Sequence, residues 1–458
     1  MKYSDFAVCL ISAICLLSAG ALAAEIPVPV EETDVIPLTD NIIIHERLDI
    51  HNGGRIEGHG IDILSNGNLV ICFEDDPAGI GAAWTIFDIS GNPVIPELRG
   101  VQRPDLTEPA LSGMFAPRIK ANPYGEGFLF GVTYFDWVGK DNPQNIISPE
   151  HMVLDIDDAP LIQVLNEDGS YARPAFCPLE LEYLQRPGAI WLTGVGYLSD
   201  GNLAVAYRDR QVHDETEVFN LEGAAALILA NIVSQEGKIV HAPVMVQDYP
   251  ESVDSWYGLA AGKNAFGVHY ESFRGNFLRF YDLQLKPLTP VISLGSHLSM
   301  IAGRGDTEGW CANVQDTFLF ASAKHRSIDF VRLNPLKSAE VHPARLDRVT
   351  GDIVLGQLHA AMDAAGNYAF VYEYHKGLHP ELKSEIVAEI FDAQGEKLHG
   401  PFYVSSIKTE EIVAFDNFPK VAFRDGILAV IWRDRNTNLL DYNELALRVF
   451  RVPLTGER

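Results

Sequence analysis

The feature that most constrains the fold is an internal repeat of ten-residue segments, each running from a turn through apolar residues to a polar or charged end. Seven segments share this pattern: GNLVICFEDD (67–76), EGFLFGVTYF (126–135), GNLAVAYRDR (201–210), NAFGVHYESF (264–273), DTFLFASAKH (316–325), GNYAFVYEYH (366–375) and GILAVIWRDR (426–435). We call them decapeptides 1 to 7 in chain order. Their starts span 359 residues in six steps, a period of about 60 residues. This regularity predicts an architecture built from one supersecondary unit.

The sequence around the decapeptides predicts four strands in each repeat. A short apolar segment and a turn rich in Gly and Asn, such as 65–68, come before the decapeptide, and these residues tolerate the positive φ of hairpins. Two more apolar segments and a second turn follow it, as in 386–404. Seven repeats of four short strands predict an all-β, seven-bladed β-propeller. A pair of β-sandwiches is the weaker alternative, because sandwiches alternate more regularly and have no common repeat.

The two ends of the chain predict how the ring closes. The last repeat supplies strands at 419–423, 427–432 and 444–452, and no fourth strand follows. Residues 41–48 are strand-like and precede the first repeat. We therefore expect an N-terminal strand to complete the last blade and cover its open edge. Residues 41–454 then form a single propeller domain, and the Pro-rich, acidic residues 25–40 form a mobile leader.

The first 24 residues are typical of a secretory signal peptide. Lys2 is basic, residues 6–17 are mostly apolar, and residues 21–23 provide a small-x-small cleavage pattern. We expect cleavage near Ala23 or Ala24 and a protein that is secreted or periplasmic. The mature chain then keeps three of the five cysteines, whose spacing matches neither a disulfide framework nor a zinc site. Any pairing among them stays open.

Charge and motifs exclude several classes of function. The chain has 35 Lys and Arg against 62 Asp and Glu, a formal net charge of −27, which disfavours nucleic acids and anionic membranes. It contains no phosphate-binding Gly-rich loop and no Gly-x-Ser-x-Gly elbow, and we predict no cofactor and no metal. Calcium at Asp155, Asp157 and Asp158 is an open alternative to a solvated acidic loop, although EF-hand spacing is missing.

Long connections are predicted at one end of the ring. After the second strands they occupy 136–160, 211–223 and 376–384, and between blades 103–116, 178–189 and 295–309. In a four-stranded meander both classes of connection lie at the same end. We expect this loop-rich face to bind the ligand. Loops that simply vary wherever they are solvated would elaborate both faces equally.

Two rings of side chains are predicted on the loop-rich face. Aromatic, His and Arg residues near the start of the innermost strands are the first set of candidate ligand-binding residues: His59, Phe115, Arg118, Trp191, Trp256, Tyr257, Trp310 and His359, with Phe418 in the last repeat. Such rings stack on sugars or clamp peptides. The alternative is that they fill the central channel.

The second ring lies at the ends of the second strands, where acids and arginines alternate. Arg208 and Arg433 are candidates for binding a carboxylate ligand. Asp75, Glu271 and Glu373 are the first candidates for acid/base catalysis, since glycosidases need two carboxyl groups at a defined separation. The alternative is ion pairing between blades, which we expect for at least half of this ring.

The Phe-Asp-x-x-Gly ends of residues 87–91 and 391–395 complete a repeat that resembles the propeller repeats of secreted bacterial proteins. The resemblance covers residues 41–454 and identifies no single family; the Asp-box of sialidases and the Trp-Asp ending of WD repeats are both absent. The main expectation is an exported propeller that binds a glycan or an extracellular protein without catalysis. The alternatives are a propeller-fold glycoside hydrolase or lyase, and a structural cell-surface subunit.

Overall fold

A computed structural model of the chain describes most of the repeat region. The described residues are 29, 34–48, 58–75, 81–102, 114–135, 158–180, 190–209, 227–248, 253–272, 275–295, 309–324, 326–338, 340, 342–348, 353–376, 383–405, 414–436 and 443–454. The predicted signal peptide lies outside them. Within these residues no helix is long and apolar enough to cross a membrane.

The described residues form 28 β-strands arranged as seven blades. Two N-terminal strands come first: β1 (Ile36–Pro37) and β2 (Ile42–Leu48). Blades 1 and 2 contain β3 (His59–Ile63), β4 (Leu69–Asp75), β5 (Gly81–Phe87), β6 (Pro93–Arg99), β7 (Met114–Ala121), β8 (Phe128–Phe135) and β9 (Asp158–Leu165). Blades 3 and 4 contain β10 (Ile190–Tyr197), β11 (Leu203–Asp209), β12 (Leu227–Val233), β13 (Ile239–Met245), β14 (Val253–Ala261), β15 (Ala265–Ser272), β16 (Gly275–Asp282) and β17 (Ile292–Gly295). Blades 5 to 7 contain β18 (Gly309–Ala312), β19 (Phe318–Lys324), β20 (Ser327–Leu333), β21 (Pro343–Asp347), β22 (Ile353–Met362), β23 (Tyr368–Lys376), β24 (Lys383–Phe391), β25 (Lys397–Tyr403), β26 (Ala414–Arg424), β27 (Ile427–Asn436) and β28 (Asn443–Arg451).

The blades form a closed ring, which confirms the predicted seven-bladed propeller. Each blade is an antiparallel meander, and in blade 2 the fourth position is held by residues 171–176, which bridge to β9. The innermost strands of successive blades contact one another all the way around, and β26 of blade 7 packs against β3 of blade 1. The hydrophobic clusters lie between neighbouring blades, as where Ile71 and Phe73 of blade 1 meet Leu447 and Val449 of blade 7.

The N-terminal strand completes blade 7 as predicted. β2 pairs antiparallel with β28, with Ile42 opposite Leu447, and the Ile42 side chain contacts the turn at Gly91 of blade 1. The structure differs from the expected mobile leader at residues 35–40. There β1 also pairs with β28, Val35 is 2% exposed, and Thr39 Oγ1 accepts the Val449 N–H at 3.0 Å. The leader prediction failed at these residues because composition alone does not reveal pairing with a distant strand edge.

The two ends of the ring differ in their connections. The connections between first and second strands run from 2 residues (425–426) to 6 (122–127) and define the short-turn face. The connections after second strands and between blades lie at the opposite, loop-rich face and include most of the undescribed residues. Residues 283–291 and 334–342 are exceptions, since these longer third-to-fourth connections belong to the short-turn face.

Candidate functional site

The innermost strands carry bulges near the loop-rich face, and these bulges organise the site. The pairing register between the first two strands shifts in five blades: at Phe115/Arg118, Leu192/Gly194, Val253/Tyr257, Leu355/Leu358 and Asn417/Lys420. A bulge bends its strand and leaves backbone groups unpaired within the ladder. The freed N–H groups are therefore available to the neighbouring blade.

Three of these N–H groups bind the residue at position eight of the preceding decapeptide. Phe418 N donates to Glu373 Oε1 at 2.9 Å, and Leu192 N donates to Thr133 Oγ1 at 3.0 Å. Ala116 N donates in the same way to the Glu74 carboxylate. Position eight thus links successive blades through backbone hydrogen bonds, where ion pairs between blades were predicted.

Ala116 and Phe418 adopt a backbone conformation that is rare for residues with a side chain. Their φ angles are 52° and 55°, and each comes directly before a proline. A left-handed L-residue costs about 1–2 kcal/mol, and a following proline restricts it further. Because such strain persists only where the surroundings impose it, the carboxylates that accept these two N–H groups are part of what holds the bulges in place.

Phe418 brings together side chains from blades 6, 7 and 1. Its N–H binds Glu373, its carbonyl accepts the His59 Nε2–H at 2.6 Å, and the Arg433 guanidinium lies 5.1 Å from its ring centroid. We call these residues, together with His375, the Phe418 cluster. An acid, two imidazoles and a guanidinium therefore meet near the axis on the loop-rich face.

Glu373 and His375 form the pair with the clearest chemical capacity. They lie two residues apart on β23, so their side chains share one face. His375 Nε2 donates to Glu373 Oε2 at 2.8 Å, and the two side chains are 16% and 7% exposed. In the neutral ring this leaves the lone pair on Nδ1, which is buried and has no hydrogen-bond partner among the described residues. A carboxylate that orients an imidazole is the arrangement of a general base.

The opposing strand makes room for this pair with a glycine. A Cβ at Gly356 of β22 would collide with the Glu373 carboxylate and lie 2.5 Å from His375 Nε2. Decapeptide 6 is also the only one of the seven with Glu at position eight and His at position ten. The Glu373–His375 pair is therefore particular to decapeptide 6, whereas position eight also accepts a backbone N–H in decapeptides 1 and 2.

Two arginines of the second ring stack on aromatic residues of their own blades. Arg208 lies 5.7 Å from the Trp191 ring centroid in blade 3, equivalent to Arg433 over Phe418 in blade 7. These are the blades with the most similar decapeptides, and both arginines are at most 5% exposed. Arg118 donates to the carbonyls of Pro117 at 3.2 Å and Thr193 at 3.5 Å, which ties blade 2 to blade 3.

The remaining candidates fall into two groups. The side chains of five of them lie outside the described residues, although their backbones belong to strands: Asp75, Phe115, Trp256, Tyr257 and Trp310. Glu271 is half-buried on β15 opposite Asn276. The described residues thus bring Glu373, Arg433 and His59 together, and place His359 in a different part of the channel.

His359 lines a cavity at the short-turn end of the axis. The cavity has a volume of about 190 Å³ and is lined by all seven innermost strands, with small residues such as Gly196, Ala261 and Ala312 in its wall. Burial, followed by the charges of Lys420, Lys120 and His59, lowers the pKa of His359 well below 6.5. His359 Nδ1 accepts the Val421 N–H at 3.2 Å, so the neutral ring carries its proton on Nε2.

Cysteine chemistry and bound metal have no support in the described parts of the chain. Cys72, Cys177 and Cys311 are free thiols, and burial raises the pKa of each to about 12. No group of three or more His, Cys, Asp or Glu side chains in these parts is arranged to hold a metal ion. Asp155, Asp157 and the side chain of Asp158 lie outside them, so the calcium alternative stays a prediction.

Comparisons with known proteins return matches only among solved structures. No protein family and no curated protein matches the chain. A Trypanosoma rangeli sialidase bound to an inhibitor shares 10% identity at a TM-score of 0.43, with 90% of this chain and 59% of the sialidase covered. A Penicillium chrysogenum alpha-L-arabinanase bound to arabinobiose shares 12% identity at a TM-score of 0.41, with 91% of this chain and 98% of the arabinanase covered. An ulvan lyase shares 11% identity at a TM-score of 0.41, with 91% of this chain and 95% of the lyase covered. The chain therefore spans 59% of the length of that sialidase.

These matches contradict the main functional expectation of a non-catalytic protein that binds a glycan or an extracellular protein. The three proteins just named are a sialidase, an arabinanase and an ulvan lyase, so the non-catalytic expectation is not kept. A propeller-fold glycoside hydrolase or lyase was an alternative in the sequence-based prediction, with Glu373 among its catalytic candidates, but loop lengths and aromatic rings favoured a binding protein. At identities of 10% to 12% the matches show the fold alone, so no residue role or substrate is taken from them.

Proposed function

We propose that this protein is a glycan-cleaving enzyme in which Glu373 and His375 form the general base. The observation that carries the proposal is a buried imidazole nitrogen without a partner among the described residues, on a ring that a carboxylate orients at 2.8 Å. The pair lies at the loop-rich end of the axis, near the end of the second strand of blade 6. Catalytic bases are typically held in this way, and the repeat itself does not require the histidine.

The hydrogen bonds that both oxygens of the Glu373 carboxylate accept favour elimination over hydrolysis. Oε1 accepts the Phe418 N–H and Oε2 accepts the His375 N–H, so both oxygens are committed. A retaining hydrolase needs a carboxylate free to attack the sugar, and both hydrolase mechanisms need a second carboxyl group at about 5 Å or 6.5–9.5 Å. An imidazole base oriented by a carboxylate instead suits removal of a proton from carbon.

The reaction we propose is β-elimination in a glycan that contains uronic acid. His375 Nδ1 takes the proton from the carbon next to the uronate carboxylate. The electron pair of that C–H bond forms a C=C bond, the glycosidic C–O bond breaks, and the leaving oxygen takes a proton from solvent. The positive charge of Arg433 in the same cluster favours the anionic substrate and the charge that develops on its carboxylate.

The test is turnover of uronate-containing polysaccharides by the mature protein, followed through the ultraviolet absorbance of the unsaturated product. Glu373→Gln and His375→Asn should each lower kcat by about 10²- to 10⁴-fold. Glu340 and His342 provide the matched control, because this exposed Glu-x-His pair in blade 5 is 3.7 Å apart and more than 70% exposed. Glu340→Gln and His342→Asn should leave kcat unchanged. Turnover that survives in His375→Asn would rule out the proposed base.

Export is the second part of the proposal. Cleavage near Ala23 or Ala24 would deliver the propeller to the periplasm or the cell exterior, where polymeric glycans occur. The polymeric glycan is the partner we propose. Cell fractionation and the N-terminal residue of the recovered protein test this: protein confined to the cytosol would argue against export, and an intact Met1 on exported protein would argue against the cleavage.

A further inference from the structure

The cavity at the short-turn end of the axis lies apart from the Phe418 cluster. Its wall includes residues of the turns between first and second strands, Pro123, Val314 and Ala364, so it opens between these turns. At about 190 Å³ it is smaller than the pockets of roughly 300–1,000 Å³ that hold drug-sized ligands. A ligand here would be small and would enter from the face opposite the proposed catalytic base.

The carboxylates in the cavity wall are already used by the backbone. Asp62 accepts the N–H groups of Ile63 at 2.9 Å and Ala121 at 3.0 Å. Asp363 accepts the backbone N–H of Asn367 at 2.9 Å and its side-chain amide at 2.8 Å. These acids therefore hold the inner strands and their turns and are poor candidates for binding a ligand.

The uncommitted groups in the wall are hydrogen-bond donors. The Lys120 side chain is exposed at the cavity wall and has no ion pair or hydrogen bond with a side chain or backbone group among the described residues. His359 of blade 6 and Cys311 of blade 5 line the same cavity on the side across the axis from blade 2, which carries Lys120. Because Val421 N–H occupies Nδ1 of His359, the Nε2–H is the donor left for the cavity. The third basic residue of the wall, Arg424, already binds the Ile63 carbonyl at 3.1 Å and Asp425 at 3.6 Å.

We propose that the axial cavity is a binding site for a small organic acid with one negative charge, whose carboxylate binds the Lys120 ammonium and the His359 Nε2–H. Two donors converging from opposite sides of the channel match the two oxygens of a carboxylate. A single uncommitted cation balances one charge, and the nearby Asp62 and Asp363 repel a second. The remaining volume and the small side chains of the wall leave room for a compact, hydroxylated body.

The experiment is calorimetric titration of the mature protein with sodium glucuronate. Glucose is the matched probe without the carboxylate, and inorganic phosphate is the probe with more than one charge. Glucuronate should bind with one saturable site, whereas glucose and phosphate should bind at least tenfold more weakly. Equal binding of glucose, tighter binding of phosphate, or no binding of glucuronate would each overturn the proposal.

Variants separate this site from the proposed catalytic base. Lys120→Gln and His359→Gln should each weaken glucuronate binding by about tenfold or more, since each removes a charge-assisted or direct hydrogen bond. Lys238→Gln, at an exposed turn of blade 3, and His375→Asn should bind as the wild type does. Lys120→Gln should also keep its turnover of glycan. Unchanged binding in Lys120→Gln, or binding lost in His375→Asn, would contradict the assignment.

Discussion

His359 is a titratable residue whose surroundings disfavour its charged form. Burial contributes most, and Lys420, Lys120 and His59 add repulsion, so its pKa in the folded protein lies well below 6.5. His359 also lines the axial cavity. Below pH 6.5 the unfolded chain therefore binds a proton that the folded protein excludes, and stability falls as the pH falls toward the lowered value.

Replacement of His359 by Gln should reduce the acid sensitivity of the fold. Gln keeps an acceptor for the Val421 N–H and does not titrate. The wild type should lose up to about 1.4 kcal/mol more per pH unit than His359→Gln below pH 6.5. Urea unfolding at several pH values from neutral to mildly acidic measures this, with exposed His342→Gln as the control. Parallel pH profiles for the wild type and His359→Gln would refute the argument.

At the scale of single residues, the sequence predicted which types of side chain lie near the loop-rich face, but not which contacts they make there. The rings near the loop-rich face included Glu373 and Arg433 because charged residues end the apolar runs of the repeat. The role of Phe418 was not predictable, since it depends on a bulge that turns its N–H toward blade 6. A proline after position 116 or 418 was the available signal, because it marks a break in regular pairing at the start of an inner strand.

At the scale of strands, the N-terminal segment shows which features of the sequence determine pairing. A seventh repeat with only three strands required a partner, and β2 supplies it. Ile42 packs into the cluster between blades 7 and 1, whereas Ile36 of β1 pairs with the same strand but is 53% exposed. β2 therefore stabilises the ring in two ways, through its buried side chains and through its backbone hydrogen bonds to β28.

Substitution of Asp for each of these isoleucines should separate the two contributions. Ile42→Asp should lower the free energy of unfolding by about 1–3 kcal/mol, because it places a charge between two blades. Ile36→Asp should leave it within about 0.5 kcal/mol, as is usual for exposed positions. Chemical denaturation followed by tryptophan fluorescence measures both. Equal losses of unfolding free energy in the two variants would mean that the packing of Ile42 between blades 7 and 1 does not stabilise the ring.

At the scale of the whole molecule, the repeat predicted the ring, its closure and the position of the long connections. The clearest reason is that a unit of about 60 residues with four strands cannot bury both faces alone and must stack on its neighbours. The cavity at the opposite end was not predicted. It arises from small residues on different strands, including Gly196 and Ala312, that become neighbours only when all seven blades surround one axis.

The most direct test of the central claim is the mass of the products released from a uronate-containing polysaccharide. Elimination by the Glu373–His375 base predicts oligosaccharides whose new non-reducing end is lighter by one molecule of water than a hydrolysis product. The same masses should be absent with His375→Asn and present with His342→Asn. Saturated products from the wild type would contradict the proposed base, and the absence of any cleavage would contradict the proposed function as a whole.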